Sequence, residues 1–388
     1  MIPHPWILVS AGFHRHGGQS KANYYLVQYL LQNNHRVYLI GHDFDHDLTI
    51  DPRVHVYSLA RPFGKDILGN WFLYHQGRSI IKKIEKRENQ TCRVIVNGGN
   101  CVWRDVNWVH YIHSVWQPKI TNSTWLYRWK ESIAGKIYRR REQKSFRTAT
   151  ILIANSECTR KDLIQMGCHS QRVKTIYLGC DPDWSIPTEN ERKTARRAII
   201  SVEDNRPLLG FVGGVGLDNR KGFDILVSAF EQLCTNKNWN GDLVIAGAGN
   251  GLSFWQQKLS QSPFRHRYHF LGFTKDVKEV LASLDLLISP VRYEPYGLNV
   301  QEAICRGVPS IVSQLAGIAE QYPPDCHPLL LNDANSVNEL ADKIERWWQN
   351  ANEWKERFIH FSENLRRNTW SNMAKNMVSY FENFSLRS

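Results

Sequence analysis

The sequence has only 4 Met against 14 Trp, and its 8 Cys include no Cys-x-x-Cys pair. Thiols scattered this way fit neither a zinc site nor a disulfide framework, and reduced cysteines are expected. No run of 18 or more apolar residues occurs, so no membrane-spanning helix is predicted. The opening Met1–Ser10 has no basic segment followed by a long apolar stretch. It reads as a first strand, not a signal peptide, and a cytoplasmic protein is expected. Short-period repeats and low-complexity tracts are also lacking. What is present is ordinary for a globular chain, 42% hydrophobic and 22% charged. The 388 residues leave room for two domains with substantial cores.

Acidic residues are the scarcer charge, 37 against 49 Lys and Arg, for a formal net charge of +12. The surplus is uneven. Between Lys119 and Arg147 nine basic side chains face two acidic ones, Glu131 and Glu142. Trp125, Tyr127, Trp129, Ile133, Ile137 and Tyr138 interleave them. Such a helix is either a solvated face or a contact for an anionic partner, with peripheral contact to an anionic membrane among the expectations. A non-catalytic polyanion binder is a second reading of the same charge.

Strand and helix signals alternate along the first half. Strands are expected at Ile7–Ser10, Arg36–Ile40, Val54–Val56, Arg93–Asn97, Trp108–His113, Ile151–Ser156 and Lys174–Tyr177. Ser156 is a candidate helix cap. Residues 183–206, bracketed by Pro182 and Pro207, read as a linker in which Thr194–Ile200 is a short helix. A second βα series runs through Leu208–Val212, Asp242–Ala246, His269–Leu271, Asp285–Ser289 and Pro309–Ser313. Alternation of this kind predicts an α/β protein with parallel, doubly wound sheets. The expected parts are 1–182, a linker at 183–206, 207–365, and a terminal helical segment at 366–388.

The most informative stretch is Glu294-Pro295-Tyr296-Gly297-Leu298-Asn299-Val300-Gln301-Glu302. Pro295 and Gly297 break helical continuity, so Glu294 belongs to a loop and Glu302 to the second turn of the helix that follows. Between them lie the N–H groups of Gly297, Leu298 and Asn299. A helix start without a side chain suits a phosphate, and flanking carboxylates suit hydroxyls. Together they describe a nucleotide sugar. Gly307 can stop the helix.

Upstream, Gly213-Gly214-Val215-Gly216 leads to Arg220-Lys221-Gly222-Phe223. The glycines let backbone approach a ligand, and Arg220 and Lys221 bring two cations to a helix start. It is not a Walker A loop, because Gly222 follows the lysine. Nor is Gly247-Ala248-Gly249-Asn250-Gly251 a dinucleotide fingerprint, since Leu252 stands at the final glycine position. No Asp-x-Asp stretch reads as a metal motif.

The Glu294 to Glu302 spacing, with Arg220 and Lys221 about 70 residues upstream, resembles the Glu-x7-Glu signature of retaining, metal-independent family 4 glycosyltransferases (glycosyl transferases group 1). The resemblance implies the GT-B fold, two Rossmann-like doubly wound domains facing a central cleft. Its implied donor is a nucleotide-diphosphate sugar, with no cofactor and no metal, and its implied acceptor a glycan or lipid-linked hydroxyl. No nucleic acid is expected as a partner. By the same resemblance, Arg220 and Lys221 neutralise the diphosphate, Glu294 orients the sugar and Glu302 the ribose. Gly214, Gly297, Leu298 and Asn299 line the donor. Phe273, in Leu271-Gly272-Phe273-Thr274, lies against the nucleobase. Gly17 and Gly18 match a glycine loop facing the phosphate; taken alone they are a tight βα turn. His113 matches a histidine beside the transferred sugar, with His110 its close competitor. A GT-B phosphorylase or epimerase shares these features.

Overall fold

The computed structural model describes residues 4–62, 66–118, 123–181, 183–200 and 206–385. The chain forms two compact units. Residues up to 117, 124–179 and 369 onward make the first, and the second is built mainly on Cys180–Asn368.

In the first unit the order is β1 (Trp6–Val9), β2 (Gly12–Phe13), α1 (Gly18–Gln32), β3 (Val37–Gly41), β4 (Asp43–Phe44), α2 (His46–Thr49) and β5 (Val54–Ser58). Then come α3 (Asp66–Glu88), β6 (Arg93–Asn97), β7 (Val106–Val109), α4 (Trp125–Thr148), β8 (Ile151–Ala154), α5 (Glu157–Gln165) and β9 (Val173–Thr175). Seven strands form one parallel sheet in the order β5-β3-β1-β6-β7-β8-β9. The chain winds one way from β1 to β3 and β5, then crosses to β6. That reversal is the switch point where open α/β sheets bind ligands. The strands β1, β6, β7 and β8 are nearly continuous apolar runs because helices cover both faces. The Ser156 hydroxyl caps α5 by accepting the Thr159 N–H.

The second unit holds α6 (Glu189–Ile200), β10 (Leu208–Val212), α7 (Phe223–Cys234), β11 (Asp242–Ala246), α8 (Leu252–Ser260), β12 (Tyr268–Gly272), α9 (Val277–Ser283) and β13 (Leu286–Ser289). It continues with α10 (Leu298–Cys305), β14 (Ser310–Ser313), β15 (Leu330–Leu331), α11 (Val337–Gln349) and α12 (Ala351–Arg366). Its six parallel strands run β12-β11-β10-β13-β14-β15, so its switch point lies between β10 and β13.

Strands β8 and β9 end two residues earlier than expected, at Ala154 and Thr175, and two other segments differ more from the sequence expectation. Within 183–206, Glu189–Ile200 form a helix that packs on α9, and Arg196 donates to Asp285 at 2.8 Å beside the Leu208 N–H. Charge outweighs apolar content in this stretch, so its helix is read poorly from hydrophobicity alone. The expected strand Trp108–His113 ends at Val109. Its neighbours stop there, with Asn97 opposite Trp108 and Ala154 opposite Val109, so no ladder partner remains for His110 to His113.

The last helix, α13 (Trp370–Ser385), belongs to the first unit. Trp370 stacks on Tyr25 of α1 at 5.1 Å, Phe381 packs against Trp6, and Glu382 pairs with Arg93 at 2.6 Å.

Candidate active site

Two loops meet at the switch point of the second sheet. The loop after β10 carries Arg220 and Lys221, and the loop after β13 carries Glu294. The strands are neighbours, so their C-terminal loops are too. Gly222 lets them close. It adopts φ 68° as the N-cap of α7, and a Cβ there would lie 1.8 Å from the Pro290 carbonyl oxygen. Only glycine avoids both the strain and the collision. Phe223, Leu226, Phe230 and Leu233 bury the inner face of α7, which fixes the helix whose start presents the cations.

The contacts across this junction are dense. Arg292 N–H donates to the Arg220 carbonyl at 2.8 Å, and Arg220 Nη1 donates to the Tyr293 carbonyl at 3.2 Å. Lys221 Nζ donates to Glu294 Oε2, and Arg220 Nη1 stands 3.7 Å from the same oxygen. Burial pushes the Glu294 carboxyl up, but the Lys221 and Arg220 charges outweigh it, aided by hydrogen bonds from Lys221 and the Tyr296 N–H. Its pKa falls below the ordinary range, and the carboxylate stays ionised. The site therefore gathers Arg220 and Lys221 on the largely buried Glu294, with Asp218 Oδ2 3.9 Å from Arg220 Nε at its edge, and the two cations are the groups a phosphate can join.

Behind Glu294 the chain is strapped to 316–318. Gly317 N–H donates to the Glu294 carbonyl at 3.0 Å, and Ile318 N–H to the Tyr296 carbonyl at 2.6 Å. Gly297, the N-cap of α10, has φ 106°, and a Cβ there would approach Ile318 Cγ2 to 2.9 Å. Val300 and Gln301 N–H groups return to the Gly297 carbonyl. The N–H groups of Gly297, Leu298 and Asn299 precede the intrahelical ladder, where the helix dipole favours an anion. The Asn299 side chain donates to the Val212 carbonyl at 2.7 Å, pinning α10 to the end of β10. Glu302 is half-buried on the second turn. Gly307 ends α10 at φ 72°, with Val308 N–H bonded to the Ala303 carbonyl.

The remaining donor-side residues sit on the same strand ends. Gly213 N–H donates to the Ala246 carbonyl and Val215 N–H to the Ala248 carbonyl, which zips the Gly214 loop to the Gly247–Gly251 turn. Gly214 is exposed. Gly247 N–H in turn holds the Gly272 carbonyl at 2.8 Å. Phe273 follows immediately, 68% exposed, a large apolar ring left in solvent.

Gly17, Gly18 and His113 lie in the first unit. Gly17 is the N-cap of α1 at φ 73°, and both glycines are exposed with open space around them, on the loop after β1. His113 stands in a turn beyond β7. Its Nδ1 lies 2.9 Å from Glu142 Oε2, which also accepts the His113 N–H. The other oxygen of Glu142 accepts the Ser114 N–H and hydroxyl. Glu142 is 1% exposed and aims the imidazole, leaving Nε2 for another partner. His110 Nε2 is buried with no partner among the described residues, and burial pulls its pKa down to about 3. It is a neutral, half-buried group with an enclosed Nε2.

Two residues important to this geometry escaped the sequence reading. Arg292 grips Asp224 at the start of α7 with both terminal nitrogens, at 2.7 and 2.8 Å, and donates Nε to Asn335 at 2.7 Å. Glu142 organises the His113 turn. Neither has a motif; Arg292 stands only two positions before Glu294.

Residues 16–184 match the family model described as Glycosyltransferase Family 4, and residues 206–350 match Glycosyl transferases group 1. An uncharacterized glycosyltransferase of Methanocaldococcus jannaschii is 28% identical over 218 residues, 54% of each chain. The match thus spans about half the length of that relative. A glycogen synthase of Alkalilimnicola ehrlichii is 31% identical over 190 residues, 45% of this chain and 38% of its own. Among solved structures, WaaG, a glycosyltransferase involved in lipopolysaccharide biosynthesis, has a TM-score of 0.75 at 18% identity, covering 96% of this chain and 99% of its own. Anabaena HepE in complex with UDP-glucose has a TM-score of 0.72 at 16% identity, covering 98% and 100%. With two Rossmann-like sheets and both family models matched, the chain belongs to the group 1, family 4 glycosyltransferases of the GT-B fold.

Proposed function

We propose that the protein transfers a sugar from a nucleotide-diphosphate sugar to an acceptor hydroxyl, with retention of anomeric configuration and without a metal. The observation that carries the reading is the cluster of Arg220, Lys221 and Glu294 beside the open N-terminus of α10. Without ligand, Lys221 and Glu294 neutralise one another, so neither charge is buried unpaired. A donor supplies replacements for both. Its diphosphate takes Lys221, Arg220 and the N–H groups of Gly297, Leu298 and Asn299, and its sugar hydroxyls donate to the freed Glu294 carboxylate.

As the bond from the anomeric carbon to the leaving phosphate breaks, negative charge grows on the diphosphate. Fixed cations and helix N–H groups stabilise that charge with little reorganisation. This is the work a divalent metal would otherwise do. The acceptor oxygen bonds the anomeric carbon on the face the phosphate leaves, and its proton passes to the departing phosphate oxygen. Glu302 binds the ribose, Phe273 and the Gly214 loop flank the nucleoside, and His113 and the Gly17–Gly18 loop serve the sugar and phosphate. The acceptor is a glycan or a lipid-linked sugar, as befits glycan, polysaccharide or glycolipid synthesis, with the enzyme peripheral to the inner membrane face. HepE, captured with UDP-glucose, supports the donor class.

The test is protection from heat unfolding by UDP, GDP and ADP sugars, for the intact chain and for Lys221→Ala and Glu302→Ala. One base class should stabilise the intact chain and neither variant. Retention is read by NMR of the first product, and metal independence by unchanged rates in chelator. If no nucleotide sugar protects the folded protein, the donor reading fails.

A further inference from the structure

Helix α4 turns an unusual face outward. Ala134, Ser145 and Phe146 bury one side, and Glu142 is spent on the His113 turn. On the opposite side Trp125, Trp129, Ile133 and Ile137 recur at intervals of four, with Leu126 beside them, all exposed; Trp125 is 67% and Trp129 64% exposed. At 100° per residue these five fall within an arc of about 120°, and the stripe from Trp125 to Ile137 is about 18 Å long. Lys130, Lys136, Arg140 and Lys144 share or border that arc, and all four are exposed. The helix carries eight cations against two carboxylates. Glu131 projects from the side opposite the stripe, and Glu142 is buried, so the outward face bears no anion. Alongside, Arg141 donates to the Asn70 carbonyl of α3 at 3.3 Å and lies over Tyr74, and the neighbouring Trp71 of α3 is exposed as well.

A solvated helix face does not need two tryptophans in water, and a purely electrostatic contact does not use them. Indole rings favour the headgroup level of a bilayer, and long cationic side chains reach from an apolar bed to lipid phosphates. No helix among the described residues is long and apolar enough to cross a membrane, so contact would be in the plane of the surface. We propose that the outer face of α4 docks the protein on an anionic lipid bilayer, with Trp125, Leu126, Trp129, Ile133 and Ile137 entering the headgroup boundary and Lys130, Lys136, Arg140 and Lys144 holding lipid phosphates. This identifies the contact surface behind the peripheral location proposed above, and it is read without any nucleotide sugar, so it stands or falls apart from the donor site.

The experiment is co-sedimentation of the full chain with phosphatidylcholine vesicles, with and without phosphatidylglycerol, alongside tryptophan emission and heparin as a soluble polyanion. Vesicles containing phosphatidylglycerol should bind the protein and shift its emission to the blue, and neutral vesicles should bind it weakly. Trp125→Ser with Trp129→Ser should abolish the emission shift and weaken vesicle binding at least tenfold, with heparin binding unchanged. Lys136→Gln with Arg140→Gln should weaken vesicle binding by about fivefold per cation. Retention of the wild-type unfolding temperature establishes that each variant is folded. Vesicle binding that ignores the tryptophan pair, or no preference for anionic lipid, overturns the proposal; the first outcome with strong heparin binding would make α4 a polyanion site instead.

Discussion

The two units share a parallel doubly wound architecture but use its switch point differently. In the second, the loops after β10 and β13 are locked by Gly222 against Pro290, by Arg292 on Asp224, and by Lys221 on Glu294. In the first, the loop before α1 ends in two exposed glycines with nothing packed over them, and His113 stands beyond β7, two strands from β1, aimed by a single carboxylate. On the function proposed above, a rigidly held pair of cations suits a diphosphate, and open loops around a fixed sheet leave room for acceptors of different shape.

This contrast can be broken most directly at Lys221. Lys221→Ala should lower turnover by about 100- to 1000-fold, the scale of removing one preorganised charge-stabilising donor, measured as kcat with saturating donor. A drop under tenfold would mean that the cluster is structural. The two helix-start glycines give the next test. Gly222→Ala must relieve a Cβ 1.8 Å from a carbonyl oxygen as well as φ 68°, and should destabilise by about 3 kcal/mol or more. Gly17→Ala, at φ 73° with open space around it, should cost about 1 kcal/mol. Equal losses in denaturant unfolding would erase the distinction between a locked and an open loop.

Glu142→Ala leaves the part-buried N–H groups of His113 and Ser114 without their acceptor, and should cost about 1 to 2 kcal/mol. His113→Ala should leave stability nearly unchanged and slow transfer by about tenfold, one neutral hydrogen bond's worth. If His113→Ala is as active as the parent, the turn serves the fold alone.

A further test separates the units by pH. His110 is held neutral, with its pKa near 3 against an ordinary 6.5. The unfolded chain takes up this proton first, so stability present above pH 6.5 is lost as pH falls from 6.5 toward 3, by up to about 1.4 kcal/mol per pH unit. Glu294 is held below the carboxylate range; its contribution is complete above the ordinary carboxyl pKa and is lost as pH falls from there through the lowered value. His110→Asn should flatten the upper limb of the stability profile and Glu294→Gln the lower one. An upper limb unchanged in His110→Asn would rule out His110 as its source.

Most strands were legible because parallel sheets covered on both faces need short apolar runs. Leu208–Val212, Asp242–Ala246 and Arg93–Asn97 are strands with the same ends as expected. Trp108–His113 was read too long because apolar and aromatic residues continue past Val109, where the neighbouring strands have ended. Helix α6 was half hidden, since only Ala195 and Ile200 are buried on it, while Arg192 and Arg196 tie it to Asp285. The second unit's candidate site residues were legible as motifs, because a helix start, a glycine and a charge stand at fixed local spacing.

By itself the sequence determined that strands alternate with helices, that two helix starts carry glycine and charge, and that a basic aromatic helix interrupts the first unit. These are consequences of local spacing, which the chain carries wherever it folds. Folding adds that Lys221 meets Glu294 across 73 residues, that Arg292 rather than a motif residue braces α7, and that the tryptophans of α4 face outward while its Glu142 faces in. Such pairings depend on which strands lie side by side and which helix face is covered, and adjacency across a sheet leaves no local trace in the residues it brings together.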